Sequence, residues 1–109
     1  MTFEPLISDF YNYESLLSDP EKETIMALRG YLDSEVRPII GGYWDRAEFP
    51  TEIIKPLAEL GQFSFAWDET RPFENSAVFR GFLAFELARV DASVATFVGV
   101  QNGLSCGAI

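Results

Sequence analysis

From Ile25 onward the chain places apolar residues at three- and four-residue steps: Ile25, Leu28, Leu32, Val36 and Ile39. That spacing is one face of an amphipathic helix. Its start is Ser18-Asp19-Pro20-Glu21, where Ser18 can cap, Glu21 completes an S-x-x-E box, and Asp19 and Glu23 complement the N-terminal dipole. Pro38 predicts a kink, because it has no N–H and its ring crowds the preceding turn. Gly41-Gly42 weakens the helix further. Tyr43, Trp44 and Phe49 then make an aromatic exit, with Trp44 assigned to the core.

A second helix is predicted from Phe49-Pro50-Thr51-Glu52, where a proline is tolerated in the first position. Ile53, Ile54, Leu57, Ala58 and Leu60 form its buried side, Pro56 should bend it, and Gly61 is its stop. Gln62 to Ser76 reads as a connection. In it Phe63, Phe65 and Trp67 alternate as in a short extended piece, and Asp68 to Ser76 carries turn chemistry around Pro72 and Asn75. Asn75 or Ser76 caps a third helix. Its Val78, Phe79, Phe82, Leu83, Phe85, Leu87 and Val90 cover more than one stripe, which predicts a largely buried element.

Asp91 ends that helix and caps the last one. Ala92 to Ile109 contains no charge, so this final helix is expected to be buried on most sides. Eighteen uncharged residues reach the lower limit of a membrane span. Ser93, Thr96, Gln101, Asn102, Ser105 and three glycines are poor lipid-facing material, however, and no span is expected. Gly99, Gly103 and Gly107 recur every four residues and would share a face, where a packed helix or, less readily, a ligand can approach closely. Residues 1–17, with Phe3, Phe10, Tyr11 and Tyr13 among acids and no sustained period, read as an extended arm laying its rings on the body. Residues 18–109 then form an all-α helical bundle of four helices.

Charge narrows the partners. Seventeen acidic residues against eight basic ones give a net charge of −9, which repels phosphate backbones, so no nucleic-acid partner is expected. An apolar share of 48% is heavy for 109 residues and suggests surface meant for another domain or subunit. The single cysteine, Cys106, excludes an internal disulfide and fits a reducing compartment, and its small apolar neighbours suggest inert packing. Without histidine there is no His-based metal site, catalytic triad or Cys–His pair. Met1 to Tyr13 has no basic residue, unlike a secretory or mitochondrial presequence, so the expected location is cytoplasmic or matrix-like. Gly41-Gly42 lacks the Lys and Ser/Thr of a phosphate loop. Glu21/Glu23 and Asp68/Glu69 read as solvated clusters. Glu86, between Phe85 and Leu87, is the one carboxylate placed where a base could be tuned; pairing with Arg89 or Arg80 explains it better. On residues alone the chain carries no catalytic equipment.

Four passages carry a resemblance: Glu35-Val36-Arg37-Pro38, Tyr43-Trp44-Asp45-Arg46-Ala47-Glu48-Phe49-Pro50, Lys55-Pro56-Leu57-Ala58-Glu59-Leu60-Gly61, and Glu86-Leu87-Ala88-Arg89-Val90-Asp91-Ala92-Ser93 with its continuation to Gln101. Together, from about Ser18 onward, they resemble the N-terminal helical domain of the FAD-dependent acyl-CoA dehydrogenases. The second and fourth are most similar to its short-chain and glutaryl-type branch, acyl-CoA oxidases included. The resemblance implies α,β-dehydrogenation of an acyl-CoA thioester by a homotetrameric flavoenzyme. Its catalytic glutamate and most FAD contacts lie in a middle sheet domain and a C-terminal bundle. It also implies that this chain stops before its domain normally finishes. No catalytic residue, metal or bound flavin is then expected for the chain alone.

What the resemblance assigns to this domain is part of the acyl-pocket wall: Ala95, Thr96, Gly99, Val100 and Gly103. In glutaryl-specific members an arginine aligns with Ala95 and a serine with Gly99, so their absence disfavours a dicarboxylic substrate there. The stretch Trp67 to Asn75 lacks the glycine pair usual before the third helix. That departure also suits a second reading, a non-catalytic interaction module derived from the same fold.

Overall fold

The computed structural model describes residues 3–5 and 9–108, with Cys106 described for its backbone alone. Ser18 caps α1 (Asp19–Tyr31) through the predicted reciprocal box: the Glu21 amide donates to Ser18 Oγ at 3.4 Å, and the Ser18 amide donates to Glu21 Oε1 at 2.8 Å. A π turn over Leu32–Val36 joins α1 to α2 (Arg37–Arg46), with the Arg37 amide reaching back to the Leu32 carbonyl. The disturbance expected of Pro38 therefore takes the form of one widened turn just ahead of it. Pro38 has no N–H for the Ser34 carbonyl, and a wider turn makes room for its ring without breaking the rod. Gly41-Gly42 does not end the helix, which stops at Ala47, a residue with φ of 54°.

Along this rod Ile25, Leu28, Leu32 and Val36 are fully buried and Ile39 half-buried, as their spacing predicts. Trp44 is not in the core: it is 63% exposed at the end of α2. A 3₁₀ turn, Thr51–Ile53, leads into α3 (Ile54–Glu59). Pro56 falls in the first turn of α3, where no N–H is needed, so it does not bend the helix. Ile53 and Leu57 are buried, Ile54 and Leu60 half-buried, and Ala58 faces out, contrary to its place in the predicted stripe. Gly61, with φ of +80°, is the stop the sequence anticipates.

The extended piece expected at Phe63, Phe65 and Trp67 does not form. Leu60 to Ala66 winds through consecutive turns, the Ser64 amide and hydroxyl both donating to the Gly61 carbonyl. The turns bring Phe65 inside, 5.1 Å from Phe79 in an edge-on contact. Ser76, not Asn75, caps α4 (Ala77–Val90) by accepting from the Phe79 amide at 3.1 Å. The Asn75 side chain donates instead to the Phe65 and Phe73 carbonyls. Phe79, Leu83 and Leu87 belong to the core, while Phe85 is 42% exposed, so α4 is less covered than its composition suggests.

Asp91 makes the predicted corner between α4 and α5 (Ala92–Gly99), accepting from the Val94 amide at 3.0 Å. A second π segment, Val100–Ser105, and a short α6 (Cys106–Ala108) follow. The expected burial of this segment on most sides does not occur. Val94 and Val98 alone are buried among its described residues, and Leu104 is 71% exposed. Nor does any element pack on its glycines: a Cβ at Gly99 or Gly103 would meet nothing within 4 Å, and one at Gly107 would only touch Trp67 at 4.0 Å.

In the arm, Phe3 meets Phe82 edge-on, but Phe10, Tyr11 and Tyr13 are exposed, and Tyr13–Leu16 forms a 3₁₀ turn. The rings of the arm are thus only partly laid on the body. The described residues contain no strand, and the fold is an all-α bundle. No helix is long and apolar enough to cross a membrane among the described residues.

Candidate functional site

Glu86 is fully buried on α4 and sits between two arginines. Arg29 of α1 donates from Nε to Oε1 at 2.9 Å, and its Nη2 lies 2.7 Å from the same oxygen without hydrogen-bond alignment. Arg89 donates from Nε to Oε2 at 3.1 Å. The expected partner Arg89 is present; the alternative, Arg80, is not, since its Nη1 reaches the Asn75 Oδ1 at 2.5 Å. Arg29, distant in sequence, is the partner that helix spacing could not reveal. Arg89 also reaches Asp33 at 3.0 Å, and Arg29 Nη1 donates to the Glu4 carbonyl at 2.6 Å. Burial works to raise the Asp33 carboxyl, but hydrogen bonds from Arg89 and Arg37 outweigh it and hold the group below its ordinary value. Burial likewise opposes the charge on Arg89, while Asp33 and Glu86 push its pKa up. Both Glu86 oxygens are engaged by guanidinium groups, so this carboxylate ties α1 to α4.

Glu21 corrects a second expectation. It is buried, and besides completing the α1 box its Oε2 accepts from the Ser76 amide at 2.8 Å and the Ser76 hydroxyl at 2.9 Å. One carboxylate thereby serves the N-termini of α1 and α4 together. Burial tends to raise its pKa, yet the hydrogen bonds from Ser18 and Ser76 bring it below the ordinary value. Glu23, Asp68 and Glu69 are exposed, as expected of solvated acids.

The five wall residues divide between two sides of the last segment. Ala95 and Gly99 line an open cleft of about 190 Å3 between α4, α5 and the turns from Gln62 to Ala66. Its wall is mostly apolar, with Phe65, Leu83, Leu87 and Val98 among its lining residues. The Asn102 side chain closes one connection by donating to the Gln62 carbonyl at 2.6 Å. Thr96, Val100 and Gly103 do not line the cleft: Thr96 is exposed and returns its hydroxyl to the Ala92 carbonyl, Val100 is half-buried, and Gly103 is exposed. Trp44 Nε1 donates to Asp91 Oδ1 at 2.7 Å, which ties the end of α2 to the corner that aims α5. That link was not legible from spacing, although the exposed tryptophan and the cap each sit in a recognisable passage. No group of acids and cysteine among the described residues is arranged to hold a metal.

Compared with protein families, residues 18–109 match the acyl-CoA dehydrogenase N-terminal domain. The chain belongs to this family. The match includes every helix described above, and the all-α bundle is the fold of an acyl-CoA dehydrogenase N-terminal domain. A search of curated proteins finds no match to the chain. In this acyl-CoA dehydrogenase N-terminal domain, then, the buried ionic clamp and the double cap are devices that hold α4, and through Asp91 α5, in place. The surfaces left open are the cleft and the outward side of α5.

Proposed function

We propose that this domain forms part of an FAD-dependent enzyme that removes hydrogens from the α and β carbons of an acyl-CoA thioester, and that α5 with the following π segment supplies part of the acyl-pocket wall. The observation that carries the reading is the outward side of this segment: Thr96, Val100 and Gly103 are small or apolar and uncharged, with Thr96 and Gly103 exposed and Val100 half-buried. A surface of that kind is suited to lie against an apolar chain. The Tyr43 to Pro50 and Arg89 to Ser93 runs favour the short-chain and glutaryl-type branch, and a homo-oligomer is the assembly that goes with it.

The described residues do not fit a flavin of their own. The N-termini of α1, α4 and α5 are filled by Ser18, Ser76 and Asp91, which closes these three to a pyrophosphate; α3, with no side-chain cap, is only six residues long, and the 190 Å3 cleft is small for such a ligand. In this reading FAD and the proton-abstracting glutamate belong to other domains of the enzyme, and this one shapes the substrate side.

A substitution at Gly103 tests the wall. A Cβ there meets nothing within 4 Å among the described residues, so a side chain at Gly103, as in Gly103→Leu, starts into open space. In the complete enzyme the change should raise KM for longer acyl-CoA substrates by about tenfold, a loss of ~1.4 kcal/mol in binding, with the shortest substrate unaffected. An unchanged chain-length profile would remove Gly103 and its neighbours from the pocket.

A further inference from the structure

The cleft between α4 and α5 holds a cation that the acyl-wall reading does not use. Arg29, Arg37, Arg46, Arg71 and Arg89 each lie within an ion pair. Arg80, half-buried, has no carboxylate partner among the described residues, although the chain carries seventeen acids. Its Nη1 is held by the Asn75 side chain at 2.5 Å and the Asn75 carbonyl at 3.4 Å, and its Nε and Nη2 have no acceptor among the described residues. It lines the cleft, and no acidic residue lines it. In a molecule of net charge −9, an arginine bare of acids beside an apolar wall is a local reversal of the surrounding field.

We propose that the cleft binds a short aliphatic carboxylate, with Arg80 taking the carboxylate and the α4–α5 wall taking the tail. A planar guanidinium matches a carboxylate through two parallel N–H donors, and Arg80 has donors to spare. Leu83, Leu87, Ala95 and Val98 supply the surface for the tail. At about 190 Å3 the cleft lies below the roughly 300–1,000 Å3 of sites for drug-sized ligands, so the tail is a few carbons long. The inference goes beyond the dehydrogenase reading and does not depend on it, because every group involved is in these 109 residues.

Titration of the chain with hexanoate, hexan-1-ol and acetate, followed by two-dimensional amide and arginine side-chain NMR, tests the site. Hexanoate should bind about tenfold or more tightly than either control, shifting the Arg80 Nε–H and the amides of Ala95 and Gly99. Arg80→Gln should abolish the preference for hexanoate over hexanol, and Ala95→Leu, which fills the cleft, should abolish binding of both. Equal binding of hexanol would mean an apolar patch only, equal binding of acetate a surface cation only, and hexanoate shifts elsewhere a different site; each overturns the proposal. Should Arg80→Gln fail to fold, as judged by circular dichroism, the three-ligand comparison on the unaltered chain still decides. A dehydrogenase that ignores hexanoate would refute this site alone, and a hexanoate-binding chain without flavin chemistry would refute the other reading alone.

Discussion

Glu86 and Arg29 stand 57 residues apart and meet in the interior, where Glu86 is fully buried and Arg29 nearly so. The pair is worth less than its distance suggests, because both partners lose hydration, but breaking it is costly. Glu86→Leu should destabilise the domain by about 3–5 kcal/mol in urea unfolding, and the double variant Arg29→Met, Glu86→Leu should recover most of that loss. A single variant as stable as the parent would mean that the clamp does not hold α1 to α4. Glu21 gives a pH-dependent counterpart. Its folded pKa lies below the ordinary 4.5, so folding favours the ionised form. The stability it adds is complete above the unfolded value and disappears as pH falls through the folded one. Glu21→Gln should therefore be less stable than the parent by about 1–2 kcal/mol at neutral pH, from weakened caps on two helices, and the gap should narrow below pH ~4. A gap that stays constant with pH would show that the charge of Glu21 is irrelevant.

Among the elements, α5 depends most on one residue. Asp91 caps it through Oδ2 and receives Trp44 through Oδ1. Asp91→Ala should cost about 0.5–2 kcal/mol, and Asp91→Asn, which keeps one acceptor oxygen, should fall between the two in thermal unfolding. Equal melting of all three would remove the corner from the account. Much at this scale could be read from local pattern, because its causes are local: the Ser18–Glu21 box, the Ile25 to Val36 stripe, the stop at Gly61 and the Asp91 cap need only near neighbours. What could not be read depends on distant ones. Glu21 looks like a solvated acid until Ser76 arrives from 55 residues away. An uncharged segment such as Ala92 to Ile109 announces that it is to be covered, but not whether this chain or another surface covers it, and the wall residues share that ambiguity. For the same reason Trp44 and Phe85, apolar in composition, proved exposed.

The molecule as a whole is flattened, with Cα extents of 40 × 36 × 22 Å, and a slab of that form has little interior. Its accessible surface, 6642 Å2, exceeds the roughly 6,100 Å2 of a monomer of its mass. Part of the difference lies in Trp44, Phe85 and Leu104. The 109-residue chain alone should therefore self-associate with rising concentration in sedimentation velocity, and Phe85→Lys with Leu104→Lys should suppress it; a parent chain that stays monomeric at high concentration would mean that these faces need no cover. The central claim is the proposal that the domain serves an FAD-dependent enzyme acting on acyl-CoA. It is tested most directly by the visible spectrum of the protein expressed from its complete reading frame and titrated without oxygen with a short acyl-CoA. The account predicts a yellow protein whose flavin bands bleach as acyl-CoA is added. A colourless protein, or a yellow one that no acyl-CoA bleaches, would contradict it and leave a helical domain that recognises ligands without dehydrogenating them.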